Sequence, residues 1–225
     1  MDREFSMVFQ NLCGTRNPRS VWDDFITLSA VGISNIVDCR PDRDELEESL
    51  LEKYTNQEKG LIRKLFNRTA DVLARNPNQD YLGNLFLDLC LEVDGEEENL
   101  MPYPEAVEKT TFYLGLLEAR PFASLGIPRC GSGAEMIAAF NQMKKLNMNP
   151  YFQLFCVGYE QNSTFTLMSY IQMSLIGISG YVVNHCRRGL QRPLNLIAPV
   201  DSWCTPAYFH RTWQARRLAQ YVMEL

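Results

Sequence analysis

The residues Pro128-Arg129-Cys130-Gly131-Ser132-Gly133 form a predicted turn between a short apolar run and a segment with helical periodicity. Glycines in such a turn let the backbone approach a ligand closely, and the helix that follows offers free N–H groups and the positive end of its dipole. The stretch therefore predicts a site for a nucleotide-like ligand. On spacing alone, an ordinary strand-to-helix turn explains the same residues.

Predicted strands and helices alternate on both sides of this turn. The series is strand 124–127, helix 132–146, strand 152–158, helix 163–176 and strand 180–185. Consecutive parallel strands joined by helices imply a doubly wound sheet with its ligand crevice at the carboxyl ends of the strands. The predicted fold class is therefore α/β, with a Rossmann-like, mostly parallel sheet.

An acidic residue follows the second predicted strand. Tyr159-Glu160 stands at the place where doubly wound nucleotide-binding folds put the acid that takes the ribose hydroxyls of the ligand. Glu160 is therefore the candidate ribose ligand if a nucleotide-like cofactor binds at the turn.

The N-terminal region has a different character. Apolar residues recur there at three- and four-residue spacing, which is typical of amphipathic helices. Ser20, shortly before Trp22, is the predicted N-cap of one of these helices. The change of pattern predicts two parts, a helical region at 1–98 and an α/β domain with a basic, aromatic tail at 99–225.

Composition bounds the classes of function. The chain has 225 residues, 46% of them hydrophobic, and a formal net charge of −5. This net charge argues against nucleic-acid binding over the whole surface, because such binding needs Lys and Arg to neutralise phosphates. Acidic residues crowd into the stretches 38–58 and 92–98, and the second of these is predicted to be a surface loop.

The C-terminal part is basic and aromatic. Its basic residues are Arg187, Arg188, Arg192, Arg211, Arg216 and Arg217, and its aromatic residues include Trp203, Tyr208, Phe209 and Trp213. These basic residues are either a solvent-exposed basic tail or a DNA-binding surface. The aromatics contact nucleic acid or a partner protein, or they pack over an open edge of the sheet, which is the interpretation that we prefer.

The spacing of the cysteines and histidines does not indicate a disulfide framework or a metal site. Seven cysteines occur without a CxxC pair, and His185 and His210 have no partner at metal-ligand spacing, so we predict reduced thiols and no metal site. Cys130 would lie at a helix N-terminus, where thiol pKa values fall, so a nucleophilic role is one alternative. Apolar runs shorter than roughly 20 residues and the lack of a secretory signal lead us to expect a cytoplasmic protein without membrane contact.

Several segments together resemble a known family. Besides the glycine turn and Glu160, they are Glu98-Asn99-Leu100-Met101-Pro102-Tyr103, Trp22-Asp23-Asp24-Phe25, Thr205-Pro206-Ala207-Tyr208 and the stretches 81–86 and 170–178. They resemble the adenine-N6 DNA methylases of phages and plasmids, which are relatives of the modification subunits of type I restriction systems. The resemblance implies a truncated class I S-adenosylmethionine-dependent methyltransferase fold behind a helical N-terminal region. It also implies cofactor-binding positions at Pro102, Tyr103, Pro128, Cys130, Gly131, Ser132, Gly133 and Glu160.

The chain departs from the family pattern at the cofactor site and in the catalytic loop. Ile127 stands where the family has Asp or Glu, Met101 where it has Thr, and Arg187 where it has Asn or Asp. The family's catalytic loop, Asn/Asp-Pro-Pro-Tyr/Phe, accepts hydrogen bonds from the amine of a flipped adenine. The nearest segment here, Ala198-Pro199-Val200-Asp201, lacks the amide and the aromatic residue. We therefore predict no catalytic residue.

Three functions are compatible with these residues. The first, which we prefer, is a degenerate methyltransferase-like protein of a phage or plasmid that binds a host protein and interferes with restriction or another defence system. The second is an active S-adenosylmethionine-dependent DNA adenine methyltransferase, alone or completed by a partner chain. The third is a protein that binds S-adenosylmethionine or a related nucleotide without turning it over.

Overall fold

A computed structural model describes residues 2–38, 40–92, 95–96, 100–115, 122–185 and 195–223 of the chain. The helices are α1 (Arg3–Cys13), α2 (Pro18–Val37), α3 (Pro41–Leu51), α4 (Asn56–Arg75), α5 (Tyr81–Asp88), α6 (Tyr103–Gly115), α7 (Ala134–Lys145), α8 (Pro150–Gln153), α9 (Ser163–Ile176) and α10 (Arg211–Met223). The strands are β1 (Ala123–Ile127), β2 (Leu154–Glu160), β3 (Ser179–Asn184) and β4 (Trp203–Cys204), and a 3-10 helix spans Pro206–Phe209. Within these ranges, no helix is long and apolar enough to cross a membrane.

The strands form one sheet in the order β1-β2-β3-β4. β2 pairs in parallel with β1 and with β3, so that Cys156 lies between Leu125 and Gly180. One crossover contains α7 and the short α8, and the other contains α9. The predicted β-α-β-α-β series and the mostly parallel sheet are therefore confirmed. β4 was not predicted, and it pairs antiparallel with β3.

The N-terminal helices begin at local capping signals. α2 begins at Pro18, and the side chain of Asn17 accepts hydrogen bonds from the N–H groups of Arg19 and Ser20. The prediction of Ser20 as the N-cap is therefore wrong, because Asn followed by Pro is the stronger start signal and lies one turn earlier.

The two faces of the sheet are covered by different parts of the chain. Along β2, Leu154 and Cys156 face one hydrophobic cluster, and Phe155 and Val157 face another. The first cluster runs through α7 and α9 into α1, α2, α4 and α5, so the N-terminal helices share a core with the sheet. The division of the chain near residue 98 remains a prediction.

The C-terminal segment covers the second face. Tyr208 and Trp213 are buried there, and the ring centroid of Trp213 lies 5.1 Å from that of Phe155. The indole N–H of Trp213 donates to the carbonyl of Tyr151 at 3.1 Å. The preferred interpretation of these aromatics, packing against the sheet, is confirmed for Tyr208 and Trp213, but they cover a face of the sheet and not an open edge.

A buried arginine ties the N-terminal helices to β4. Arg43 pairs with Asp38 at 3.1 Å and donates to the carbonyl of Ser202 at 3.0 Å. Its guanidinium carbon also lies 3.7 Å from the centre of the Trp203 ring. Because a buried charge is stable only while its partners are in place, this contact requires α3 and β4 to be folded together.

Replacing Trp213 by Ala should lower the free energy of unfolding by about 3–5 kcal/mol, because it leaves a cavity and removes the hydrogen bond from the indole to the carbonyl of Tyr151. Leu218→Ala is the matched control, since Leu218 lies on the same helix and is 66% exposed. The control should change the free energy of unfolding by less than about 0.5 kcal/mol. Urea denaturation measures both variants, and equal losses would contradict the packing of α10 on the sheet.

Candidate functional site

The turn after β1 has the conformation that its glycines permit. Gly131 has a φ of 53° and Gly133 a φ of 103°, in the left-handed region that other residues rarely adopt. The N–H of Cys130 donates to the carbonyl of Tyr159 at 3.1 Å, and the N–H of Gly133 donates to the carbonyl of Cys130 at 2.9 Å. The turn is thus hydrogen-bonded both to itself and to the end of β2.

Glu160 lies directly against this turn. Its carboxylate accepts hydrogen bonds from the N–H groups of Gly131 at 2.9 Å, Gln161 at 2.8 Å and Asn162 at 3.0 Å. The side chain is only 6% exposed. The turn and the acid that were singled out from the sequence are therefore neighbours, and the orientation of the carboxylate is determined by three backbone donors.

The start of α7 is packed closely by α6. Gly133, the residue before α7, provides no capping side chain. The contact between the two helices is made by three buried alanines, Ala106, Ala134 and Ala138. Met101 and Tyr103 pack against the same alanines. An apolar side chain therefore lies beside the beginning of α7 at the position where the resembled family has Thr.

Two family-matched residues, Pro102 and Tyr103, lie at the start of α6. Pro102 is exposed. The hydroxyl of Tyr103 accepts a hydrogen bond from the side-chain amide of Asn141 at 3.1 Å. Asn141 lies about 10 Å along α7 from its first residue, at the usual rise per residue. The hydroxyl of Tyr103 therefore interacts with the second half of α7 and not with the glycine turn.

Some of the other positions that depart from the family pattern lie within the described residues, and some do not. Ile127, the last residue of β1, is 3% exposed and belongs to the hydrophobic core, so this position presents no carboxylate to a ligand. The segment 198–201 precedes β4, on the far side of β3 from β1. Outside the described residues lie Glu98, Asn99, Cys186, Arg187, Arg188 and Arg192.

One acidic residue at the turn was missed in the sequence. The carboxylate of Asp80 accepts hydrogen bonds from the hydroxyl of Ser132, from the side-chain amide of Gln172 at 2.7 Å and from the N–H of Gly83 at 2.9 Å. Asp80 is 3% exposed, and burial raises the pKa of its carboxyl group. In the sequence, Asp80 is recognisable only as an N-cap candidate, because it directly precedes a predicted helix. The residues around it do not indicate a contact with Ser132, which lies 52 positions later.

Glu96, in the acidic stretch after α5, contacts the same end of the sheet. Glu96 pairs with Arg19, and its carboxylate accepts a hydrogen bond from the side-chain amide of Asn162 at 2.9 Å. Asn162 in turn donates its backbone N–H to Glu160. Within the predicted surface loop, Glu96 is therefore half-buried and fixed next to the candidate site.

Cys130 does not have the environment of a nucleophile. Its side chain is 6% exposed, and burial, together with the nearby charge of Glu160, raises the pKa of the thiol to about 12. The alternative of an activated thiol is therefore wrong, because desolvation outweighs the effect of the helix N-terminus. Cys130 instead fills space under the turn, where a Cβ at Gly158 would lie 2.9 Å from its sulfur.

Other candidate groups lie away from the turn. His185 is exposed at the end of β3, and the ring of His210 lies 5.2 Å from that of Phe152. No group of His, Cys, Asp and Glu within the described ranges could hold a metal ion.

Two of the C-terminal arginines donate hydrogen bonds to backbone carbonyls of the protein. Arg216 donates to the carbonyl of Phe152 at 2.6 Å, and Arg217 donates to that of Tyr208 at 2.8 Å. Both guanidinium groups also lie over aromatic rings. Arg211 is exposed. DNA contact by this segment remains a prediction.

By its sheet and its turn, the described part of the chain is an α/β protein with a mostly parallel sheet. A comparison with solved structures finds a protein of Listeria monocytogenes that is provisionally described as a class I S-adenosylmethionine-dependent methyltransferase, with a TM-score of 0.48 and 12% sequence identity. The match covers 86% of this chain and 56% of that chain, so this chain spans little more than half of that protein's length. Comparisons with known protein families and with curated proteins find no match.

Cys130 and Cys90 should differ sharply in alkylation. At pH 8, iodoacetamide should label Cys90 of the folded protein, because Cys90 is exposed, and should leave Cys130 unmodified until the protein unfolds. Peptide mapping by mass spectrometry measures both sites in one sample, and urea-unfolded protein is the control in which both react. Labelling of Cys130 at the rate of Cys90 would contradict its burial under the turn.

Proposed function

We propose that this chain is a methyltransferase-like protein, of the kind represented by phage and plasmid adenine-N6 DNA methylases, that binds S-adenosylmethionine or a related nucleotide at the glycine turn without transferring a methyl group. The observation that carries the ligand-binding part is the contact between Gly131 and Glu160 at the carboxyl ends of two parallel strands. In doubly wound folds this edge is the ligand crevice. The sequence resemblance supplies the class of ligand.

The residues at the turn fit part of such a ligand. A carboxylate offers about four lone-pair sites, and three backbone N–H groups occupy sites on Glu160. One site therefore remains for a ribose hydroxyl. The ammonium group of S-adenosylmethionine finds no acid at Ile127, so we expect weaker binding than in a complete site. When bound, S-adenosylmethionine would supply an activated methyl group.

The sheet supports the absence of methyl transfer. In the resembled family the catalytic loop follows a fourth strand, and its polar side chain accepts hydrogen bonds from the target amine. Here the next described strand, β4, is a two-residue strand that pairs antiparallel with β3. Among the residues that the structure describes, no strand beside β1 carries a loop of that kind. Within the described ranges, a methyl donor at the turn would therefore meet no catalytic loop that orients a target base.

The biological role that we propose is binding of a host protein of a restriction or other defence system. The support is electrostatic, because α3 presents an exposed acidic surface formed by Asp42, Asp44, Glu45 and Glu48. Such a surface attracts a basic protein surface and speeds their association.

One observation favours a second candidate, an active methyltransferase completed by a partner chain. β1 forms one edge of the described sheet, and Ser124, the second residue of that strand, is exposed. An unpaired parallel edge is a place where a further strand can add. A partner could thus supply both the strand and the catalytic loop.

Isothermal titration with S-adenosylmethionine tests the ligand. The wild-type protein should bind with a dissociation constant in the micromolar range, and Glu160→Ala and Gly131→Trp should abolish binding, because one removes the carboxylate and the other fills the turn. Glu108→Ala, at an exposed acid on α6, is the control that should bind normally. No binding at millimolar ligand would overturn the ligand assignment, and methylation of adenine-containing DNA by the chain alone would overturn the absence of transfer.

Phage plating tests the role. Expression of the chain in cells with a type I restriction system should raise the plating efficiency of unmodified phage, and charge reversal of Asp42, Asp44 and Glu45 to Lys should remove this effect. The control reverses the exposed acids Glu105 and Glu108 on α6 and should leave protection intact. Unchanged plating with the wild-type chain, or equal loss in both variants, would contradict the proposed partner surface.

A further inference from the structure

Ser132, the central residue of the turn, is held by side chains from two distant helices. Its hydroxyl donates to Asp80, which directly precedes α5. Its carbonyl accepts a hydrogen bond from the side-chain amide of Gln172, on α9, at 2.8 Å. The two side chains are also joined to each other, because Gln172 donates to Asp80 at 2.7 Å. Both polar groups of Ser132 that face the protein interior are therefore satisfied by one buried network.

The network is completed by the backbone of α5. The N–H of Leu82 donates to the side-chain oxygen of Gln172 at 3.1 Å, and the N–H of Gly83 donates to Asp80 at 2.9 Å. A Cβ at Gly83 would lie 2.2 Å from an oxygen of Asp80 and 2.6 Å from the hydroxyl of Ser132. The approach of α5 to the turn thus depends on a glycine at this position.

Holding Ser132 restrains the flexible residues on either side of it. Gly131 and Gly133 both have positive φ, and glycine reaches many other conformations at little cost. A turn that is restrained before the ligand arrives loses less conformational entropy on binding, so it binds more tightly.

We propose that Asp80 is a positioning residue for the glycine turn, so that the N-terminal helices form part of the ligand site. This proposal rests on the proposed binding of S-adenosylmethionine or a related nucleotide at the turn. Asp80 acts through Ser132 and does not itself need to touch the ligand. Ligand binding and the stability of α5 are then coupled.

The test compares two helix N-caps. Asp80→Ala removes the N-cap of α5 together with the contact to Ser132, whereas Thr55→Ala removes the N-cap of α4, where Thr55 caps the N–H of Glu58. Both variants should lose stability in urea denaturation. In titration with S-adenosylmethionine, Asp80→Ala should bind at least about tenfold more weakly, and Thr55→Ala should bind as the wild type does. Asp80→Asn should recover most of the affinity, because an amide keeps the shape and Ser132 can accept its hydrogen bond.

A second measurement makes the result independent of the ligand. Hydrogen exchange of the amides of residues 131–136 should be at least about tenfold faster in ligand-free Asp80→Ala than in Thr55→Ala. If the wild-type protein does not bind S-adenosylmethionine, the proposed function fails and this exchange alone decides the role of Asp80. Should Asp80→Ala not fold, Ser132→Ala replaces it, since it removes the hydroxyl and leaves the other donors to Asp80 in place. Wild-type affinity in the variant, or unchanged exchange where no ligand binds, would overturn the proposal.

Discussion

The hydrogen bond from Gly131 to Glu160 joins the ends of two parallel strands, and most of the structure depends on this junction. β1 and β2 end side by side, with Ile127 opposite Gly158. The chain must therefore turn sharply after β1 without colliding with β2. Gly131 permits the turn, and the carboxylate of Glu160 satisfies an N–H that would otherwise be buried without a partner. α7 then begins in the direction that lays it back over the sheet.

The burial of α7 explains why the N-terminal helices share a core with the sheet. Every residue from Ala134 to Met143 is buried, including polar ones that need hydrogen-bond partners. Asn141 finds an acceptor in the carbonyl of Pro77 at 2.8 Å, and Glu135 pairs with Lys109 at 2.7 Å. Pro77 lies between α4 and α5, and Lys109 lies on α6. The N-terminal region therefore supplies part of the surroundings in which α7 is buried.

The sequence pattern predicted those elements whose ends are set by neighbouring residues, such as helix caps and turns. The helix predicted at 163–176 has these bounds in the structure, because Asn162 caps its start and Gly177, with a φ of 87°, ends it. The turn and Glu160 were predicted by their place between elements. Asp80 was not, because its contacts depend on residues far along the chain, and β4 was not, because two residues show no periodicity. The error at Cys130 has the same origin, since the burial that raises its pKa comes from tertiary packing.

The contacts of Arg43 affect how the protein can fold during synthesis. α3 is synthesised before the carbonyl of Ser202 and the ring of Trp203, which the guanidinium of Arg43 contacts, and Ser202 comes 159 positions after Arg43. Until then Arg43 keeps its water, because a charge is not buried without partners. The packing of α3 at this corner therefore stays incomplete until Ser202 and Trp203 have been synthesised. α3 and β4 thus become ordered together, and not in the order in which they are made.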